Sequence, residues 1–262
     1  MAVTKTQIAN KAMVDLGEAL LTDVDTDGTN PANVVNEVWD VILSESLNHG
    51  PEEGWKFARR RYHGIDRDEI TITALADLVT GSTTTVTGTH TLLAGDKVTL
   101  TDTNIDDTYD VNSVSTTVSF AIDAVFTATD TGTGYWTSDE YAYRFARPTC
   151  TRVTSVQVGG VEITDWIREG SYILTNQDDT EVDMRYILHA DDVTIANFPP
   201  HFVDVLWRRL SAALAYDLVQ NAALSNTKLQ ALEQVYLPRA IGMDNREQYE
   251  KETDTSWVDA GR

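Results

Sequence analysis

The chain reads as an α+β protein: a helical bundle with a small antiparallel β-sheet and an inserted all-β module. Three changes of pattern along its 262 residues carry that reading. Apolar residues recur at helical spacing near both ends. A threonine-rich stretch with period-two alternation occupies 71–138, and a run of short strand patterns punctuated by turns follows it. A core of helices plus β-sheet is therefore expected over 1–70 and 139–262, with 71–138 as a β-rich insertion.

In chain order, Thr4 and Gln7 fit a capping box, Ile8, Ala9, Ala12, Met13 and Leu16 share one helix face, and Gly17 closes the helix in a left-handed conformation. A second helix is expected from Asn30 and Pro31. Its polar residues Asn33, Asn36, Glu37, Asp40 and Ser44 lie opposite Val34, Val35, Val38, Val41 and Ile42. After a turn at Gly50-Pro51, the aromatic segment Trp55 to Tyr62 reads as a strand leading into the insertion. Residues 71–138 hold 20 Thr and 8 Asp but a single basic residue, Lys97. Their β-branched segments, such as 97–101 and 117–122, are punctuated by Gly88, Gly95, Gly132 and Gly134, as in short strands solvated on one face.

Strand patterns resume at 141–145, 151–158, 161–163, 171–174 and 182–188, with a Gly159-Gly160 turn. Pro199-Pro200 opens a helix expected over 201–219. Its polar stripe is Asp204, Arg208 and Ser211, and so little polar surface implies burial on several sides. A last helix starts near Ser225, turns Leu229, Leu232 and Tyr236 inward, and is broken or kinked at Pro238. Beyond Met243 the tail is charged and poor in apolar residues apart from Trp257.

Charge narrows the function. Lys and Arg number 20 against 41 Asp and Glu, a formal net charge of -21. Such a surface argues against gripping phosphate backbones or anionic membranes. No apolar run approaches the roughly 20 residues of a membrane span, and the N-terminus carries no secretory pattern, so a cytosol-like compartment is expected. The single cysteine, Cys150, excludes an intramolecular disulfide framework and a zinc site of paired thiolates.

Motifs for catalysis are lacking. The histidines at 49, 63, 90, 189 and 201 are scattered, and neither a P-loop, a G-x-G-x-x-G, a G-x-S-x-G nor an H-E-x-x-H pattern occurs. No catalytic residue and no cofactor are expected. The segment Asp23-Val24-Asp25-Thr26-Asp27-Gly28 matches the first half of an EF-hand loop, but the ninth position is Pro31 and the twelfth, where a bidentate Glu belongs, is Val34. An acidic connector is expected there. The other reading makes Asp23, Asp25 and Asp27 part of a calcium-dependent binding or adhesion module. The basic run Arg59-Arg60-Arg61 serves either docking to an acidic partner or neutralisation of the chain's own carboxylates. Trp55 and Phe57 read as core, and Trp207 as core or an inter-subunit anchor.

Several segments, taken in order, resemble the tail tubular protein A type of head-to-tail adaptor of short-tailed bacteriophages. They are Gln7-Ile8-Ala9-Asn10-Lys11-Ala12 running to Leu16-Gly17, then Val38-Trp39-Asp40 and Gly54-Trp55-Lys56-Phe57-Ala58. The likeness resumes at Tyr141-Ala142-Tyr143 with Pro148, at Tyr172-Ile173-Leu174-Thr175 and at Met184-Arg185-Tyr186-Ile187. It is densest in Phe198-Pro199-Pro200-His201-Phe202-Val203 and Leu210-Ser211-Ala212-Ala213-Leu214-Ala215-Tyr216. It covers about 1–70 and 139–250. The insertion at 71–138 and the loosely matching Pro148-Thr149-Cys150-Thr151-Arg152 depart from the family pattern.

The resemblance implies a virion structural protein without catalytic residues, forming a dodecameric ring between the portal protein and the tail nozzle protein. Double-stranded DNA would pass through its channel without sequence-specific binding, and no membrane is involved. Acidic walls suit such a passage because they repel phosphate. On this reading Trp207 and Ala213 sit at the subunit interface, where Ala212, Ala213 and Ala215 allow close helix approach. Arg59, Arg60 and Arg61 face a partner, and Tyr249 and Trp257 anchor the tail on the portal.

Overall fold

The computed structural model describes residues 3–78 and 82–246 and shows a mixed α+β protein with three antiparallel sheets. The chain divides into two compact units, 1–59 with 187–262, and 60–186.

The first unit is helical. Helix α1 (Lys5–Leu16) is held by the full Thr4–Gln7 capping box and closed at Gly17, and it buries Ile8, Ala9, Ala12 and Met13. Helix α2 (Asn30–Asn48) is capped by the Thr29 hydroxyl. Its inward face is rotated from the one expected. Val35, Trp39, Ile42, Leu43 and Leu47 are buried, whereas Val41 is exposed and Val34 and Val38 are only half-buried. Spacings of four, three and one bring Trp39 and Leu43 under Val35 and set the stripe, because the large side chains remove more apolar area from water than the valines.

The segment from Trp55 differs from the expected strand. Lys56–Ala58 forms a 3-10 turn, and strand β1 (Arg59–Asp66) begins only after it. Trp55 explains this: it is fully buried, and its Nε1 donates to the Ser46 carbonyl of α2 at 2.8 Å. Pulling that ring beneath α2 turns the chain inward. Gly54 makes the turn possible, with φ of 81° and a position where a Cβ would strike Ile187. Phe57, Phe198 and Phe202 complete an aromatic cluster, with ring centroids 4.7 to 5.4 Å apart.

Helix α3 (Pro200–Asp217) is the hub, and α1, α2, α4 (Ala222–Ala231) and α5 (Leu237–Arg246) all pack on it. Between α4 and α5 the helix widens into a π-turn, Leu232–Tyr236, in which the Leu237 N–H reaches the Leu232 carbonyl. The expected break at Pro238 thus takes a milder form. The proline ring would clash with the carbonyl four residues back, and the extra residue in the turn moves that carbonyl aside. The chain beyond Met243 also differs from expectation, since α5 continues to Arg246 and Asp244 is fully buried. Tyr249 and Trp257 lie outside the described residues.

The second unit is β-rich. After β1 come β2 (Glu69–Ile72), β3 (Ala74–Asp77), β4 (Thr84–Thr87), β5 (Lys97–Thr101), β6 (Thr108–Thr116), β7 (Ser119–Ile122) and β8 (Gly132–Thr137). Then follow β9 (Tyr143–Ala146), β10 (Cys150–Val158), β11 (Val161–Ile163), β12 (Trp166–Glu169), β13 (Tyr172–Thr175) and β14 (Glu181–Leu188). The strands after the threonine-rich stretch divide between two small sheets, ordered β1-β14-β10-β11 and β12-β13-β9. The hairpin between β10 and β11 turns through Gly159 and Gly160, both at positive φ, as a tight two-residue loop requires.

The seven-stranded sheet has the order β2-β8-β5-β6-β7-β4-β3. Its outermost strands, β2 and β3, are joined by Thr73 alone, so the two ends of the sheet must meet and the sheet is curled into a barrel. Register shifts in β6, at Val111/Ser113 and Val114/Thr116, supply the bend where the sheet turns over. Ile70, Ile72, Leu75, Val98, Leu100 and Phe120 fill the interior together with neighbouring apolar side chains. Threonines alternate with them on the outside, which is why this stretch reads as half polar.

Candidate assembly interface

Most of α3 is consumed within its own unit. Phe202, Val205, Leu206, Leu210 and Leu214 are buried there, so the burial on several sides is met by helices of the same chain. The small residues have the same use. The Ser211 hydroxyl donates to Asp15 of α1 at 2.6 Å, and the Ser225 hydroxyl of α4 donates to the Ala212 carbonyl at 2.7 Å. Ala213 is half-buried and packs against this core. Asp15 also takes a 2.5 Å ion pair from Lys228, so one carboxylate joins three helices. Burial works to raise its pKa, but the hydrogen bonds from Lys228 and Ser211 and the charges of Lys228 and Arg208 outweigh it. The carboxyl is held below its ordinary value.

Apart from its exposed end at Tyr216 and Asp217, α3 is half-open at the turn carrying Asp204, Trp207 and Arg208. The Trp207 indole donates to Asp204 at 3.0 Å, and Arg208 pairs with the same carboxylate at 3.3 Å. The Arg208 guanidinium lies 4.2 Å from the Trp207 ring centroid and 3.5 Å from that of Tyr236. Trp207 is thereby held half-buried with its ring fixed. It forms one wall of an apolar groove of about 830 Å³ whose other wall is α1 and the following loop, with Val3, Val14 and Leu20. Val14 is 65% exposed and Leu20 64%. Two large aliphatic side chains held in water beside an immobilised tryptophan form an arrangement suited to docking. Asp204 is already engaged by Trp207 and Arg208 in this wall.

None of the other described residues expected at a site lines this groove. Arg59 pairs with Glu53 at 2.7 Å and donates to the Gly54 carbonyl, so it braces its own turn. Arg60 and Arg61 are exposed on β1, an outer strand of its sheet. The acidic loop is organised by its own hydrogen bonds. Asp23 accepts from the Asp25 N–H, Asp27 from the Thr22 N–H, and Asp25 forms a 2.7 Å ion pair with Lys5. Val24 plugs into the helical core. Among the described residues no group of three or more Asp, Glu, His or Cys is placed to hold a metal ion.

Sequence reasoning missed Val14 and Leu20, whose exposure breaks no periodicity, and the Arg208–Tyr236 stack, whose partners are 28 residues apart in sequence. The i, i+4 spacing of Asp204 and Arg208 beside a tryptophan was the available signal. No protein-family model matches the chain, and no curated protein matches it.

Proposed function

We propose that the protein is a virion structural component, a head-to-tail adaptor that assembles as a ring between the portal protein and the tail nozzle protein and lets double-stranded DNA pass. The observation that carries the reading is the groove of α1 and α3, where Trp207, Val14 and Leu20 present apolar area on an otherwise acidic chain. An isolated subunit keeps such a surface in water at a cost, and a neighbouring subunit removes it. The collinear resemblance over about 1–70 and 139–250 supplies the biological context, and the net charge of -21 suits a conduit that must not bind DNA. No catalytic step is part of this role. The calcium-dependent adhesion reading draws less support, since Asp23, Asp25 and Asp27 each already have partners within the loop or on α1.

The test is assembly. Purified chain, alone and mixed with its portal protein, is analysed by native mass spectrometry and negative-stain microscopy. Rings, or a stack on the portal, are expected. Val14→Lys combined with Leu20→Lys places charge on exposed positions and is expected to abolish rings while leaving the melting temperature within a few degrees. A chain that stays monomeric at all concentrations and ignores the portal overturns the proposal.

A further inference from the structure

The four-stranded sheet β1-β14-β10-β11 ends on two different outer strands. Each leaves one row of backbone N–H and C=O groups outside its ladder, and such a row pairs readily with another strand. The β1 edge is accessible: residues 60–64 are exposed on both faces of the strand, and Tyr62 is 48% exposed. At the opposite edge Val161, Glu162, Thr164 and Asp165 are exposed, Val161 at 69%. Two accessible stretches of equal length thus flank one sheet.

Their charges are opposite. Arg60 and Arg61 make the β1 edge basic, whereas Glu162 and Asp165 make the β11 edge acidic. Neither Arg61 nor Glu162 has an ion-pair partner among the described residues. The symmetric pairings are thereby disfavoured. A β1 strand beside a second β1 would set arginines against arginines, and β11 beside β11 would set carboxylate against carboxylate. Only β1 beside β11 joins opposite charges.

Strand alternation gives the same match in finer detail. Ile65 of β1 and Ile163 of β11 both pack into the core of the small sheets. Arg60 and Tyr62 therefore lie on the opposite face of β1, and Glu162 on the opposite face of β11. A sheet continued from one copy into another brings Arg60 and Tyr62 beside Glu162 on its outer face, and Val161 beside the aliphatic stem of Arg61 on its inner face. We infer that β1 of one copy adds to β11 of the next, so that the sheet runs on from subunit to subunit. Because the two edges differ, the contact is heterologous and repeats head to tail until it closes. This pairing presupposes the ring proposed above and names a contact between its subunits.

Two variants of the full chain test it. Arg60→Glu with Arg61→Glu makes both edges acidic, and Val161→Lys with Glu162→Lys makes both basic. All four side chains are exposed, so melting temperatures should stay close to that of the native chain. Native mass spectrometry, with and without the portal protein, should show each variant alone needing about tenfold more protein to form rings, as like charges across paired strands imply. Mixed in equal amounts, the two should assemble again at the native concentration as rings of alternating copies, because each basic edge then meets an acidic one. If the β1 variant melts early, the β11 variant decides alone. Rings that form unchanged in the variants overturn the pairing and leave the adaptor reading standing, and so does a mixture that assembles no better than its components. A native chain that never forms rings overturns both.

Discussion

Arg144 shows how much a single side chain can organise. It is buried, bonded to Asp68 and Thr91, and flanked by the rings of Tyr172 at 4.5 Å and Trp136 at 5.3 Å. Truncation to Met leaves Asp68 as a largely buried carboxylate without its counter-charge, a change that costs on the order of 3 kcal/mol. Thermal melts of Arg144→Met should show that loss, and Arg144→Lys should not restore stability because a point charge cannot make both bonds. Asp15 makes a prediction in pH. Its folded pKa is depressed, so its contribution is fully present above the unfolded value of 3.8 and is lost as pH falls through the lower folded value. Urea midpoints across the acid range should therefore fall below pH 3.8 more steeply for the native chain than for Asp15→Asn.

At the scale of elements, α5 depends on a partner far away in sequence. Lys56 donates to the carbonyls of Asp244 and Asn245 in the last described turn of that helix, and His201 bonds the buried Asp244 carboxylate at 3.3 Å. Bonds from a cation to carbonyl oxygens are charge-assisted and stronger than neutral ones. Lys56→Met should speed amide exchange across 237–246 by about tenfold, the effect of losing charge-assisted bonds worth about 1.5 kcal/mol. Unchanged exchange there would show that Asp244 and the apolar contacts hold α5 alone. The same cases mark what could be read beforehand. Capping at Thr4 and the Gly159-Gly160 turn are local chemistry and were legible residue by residue. The inward face of α2 was not, because which large side chain wins depends on what packs above it. Nor was the start of β1, fixed by a hydrogen bond from Trp55 to another helix, or the clasp of Arg144, whose partners Asp68 and Thr91 lie 76 and 53 positions away. At the groove, Trp207 was legible as either core or an anchor, whereas Val14 and Leu20 drew no notice until their exposure was known.

For the molecule as a whole, the division at 59/60 and 186/187 lies outside the threonine-rich stretch and takes in both small sheets with the barrel. The barrel nonetheless has its own core, and its first and last strands are neighbours, with Glu69 opposite Tyr135. Replacing 71–138 with a short Gly/Ser linker should leave the helical unit folded, as followed by far-ultraviolet circular dichroism on heating. The sheet of β9, β12 and β13 should weaken, since Arg144, Tyr143 and Tyr172 lose contacts supplied by Trp136, Thr91 and Tyr135. Loss of a cooperative helical transition would refute the independence of the helical unit.

The pairing of β2 with β8 also has a mechanical meaning. Tension on the chain on either side of the barrel enters through strands that run antiparallel side by side, with the outermost pair, Glu69 and Tyr135, at the loaded end. Such a ladder is peeled one rung after another, not sheared with all rungs sharing the load. The barrel should therefore open at low force in a pulling experiment and behave as an extensible element, whatever the thermal stability of its core.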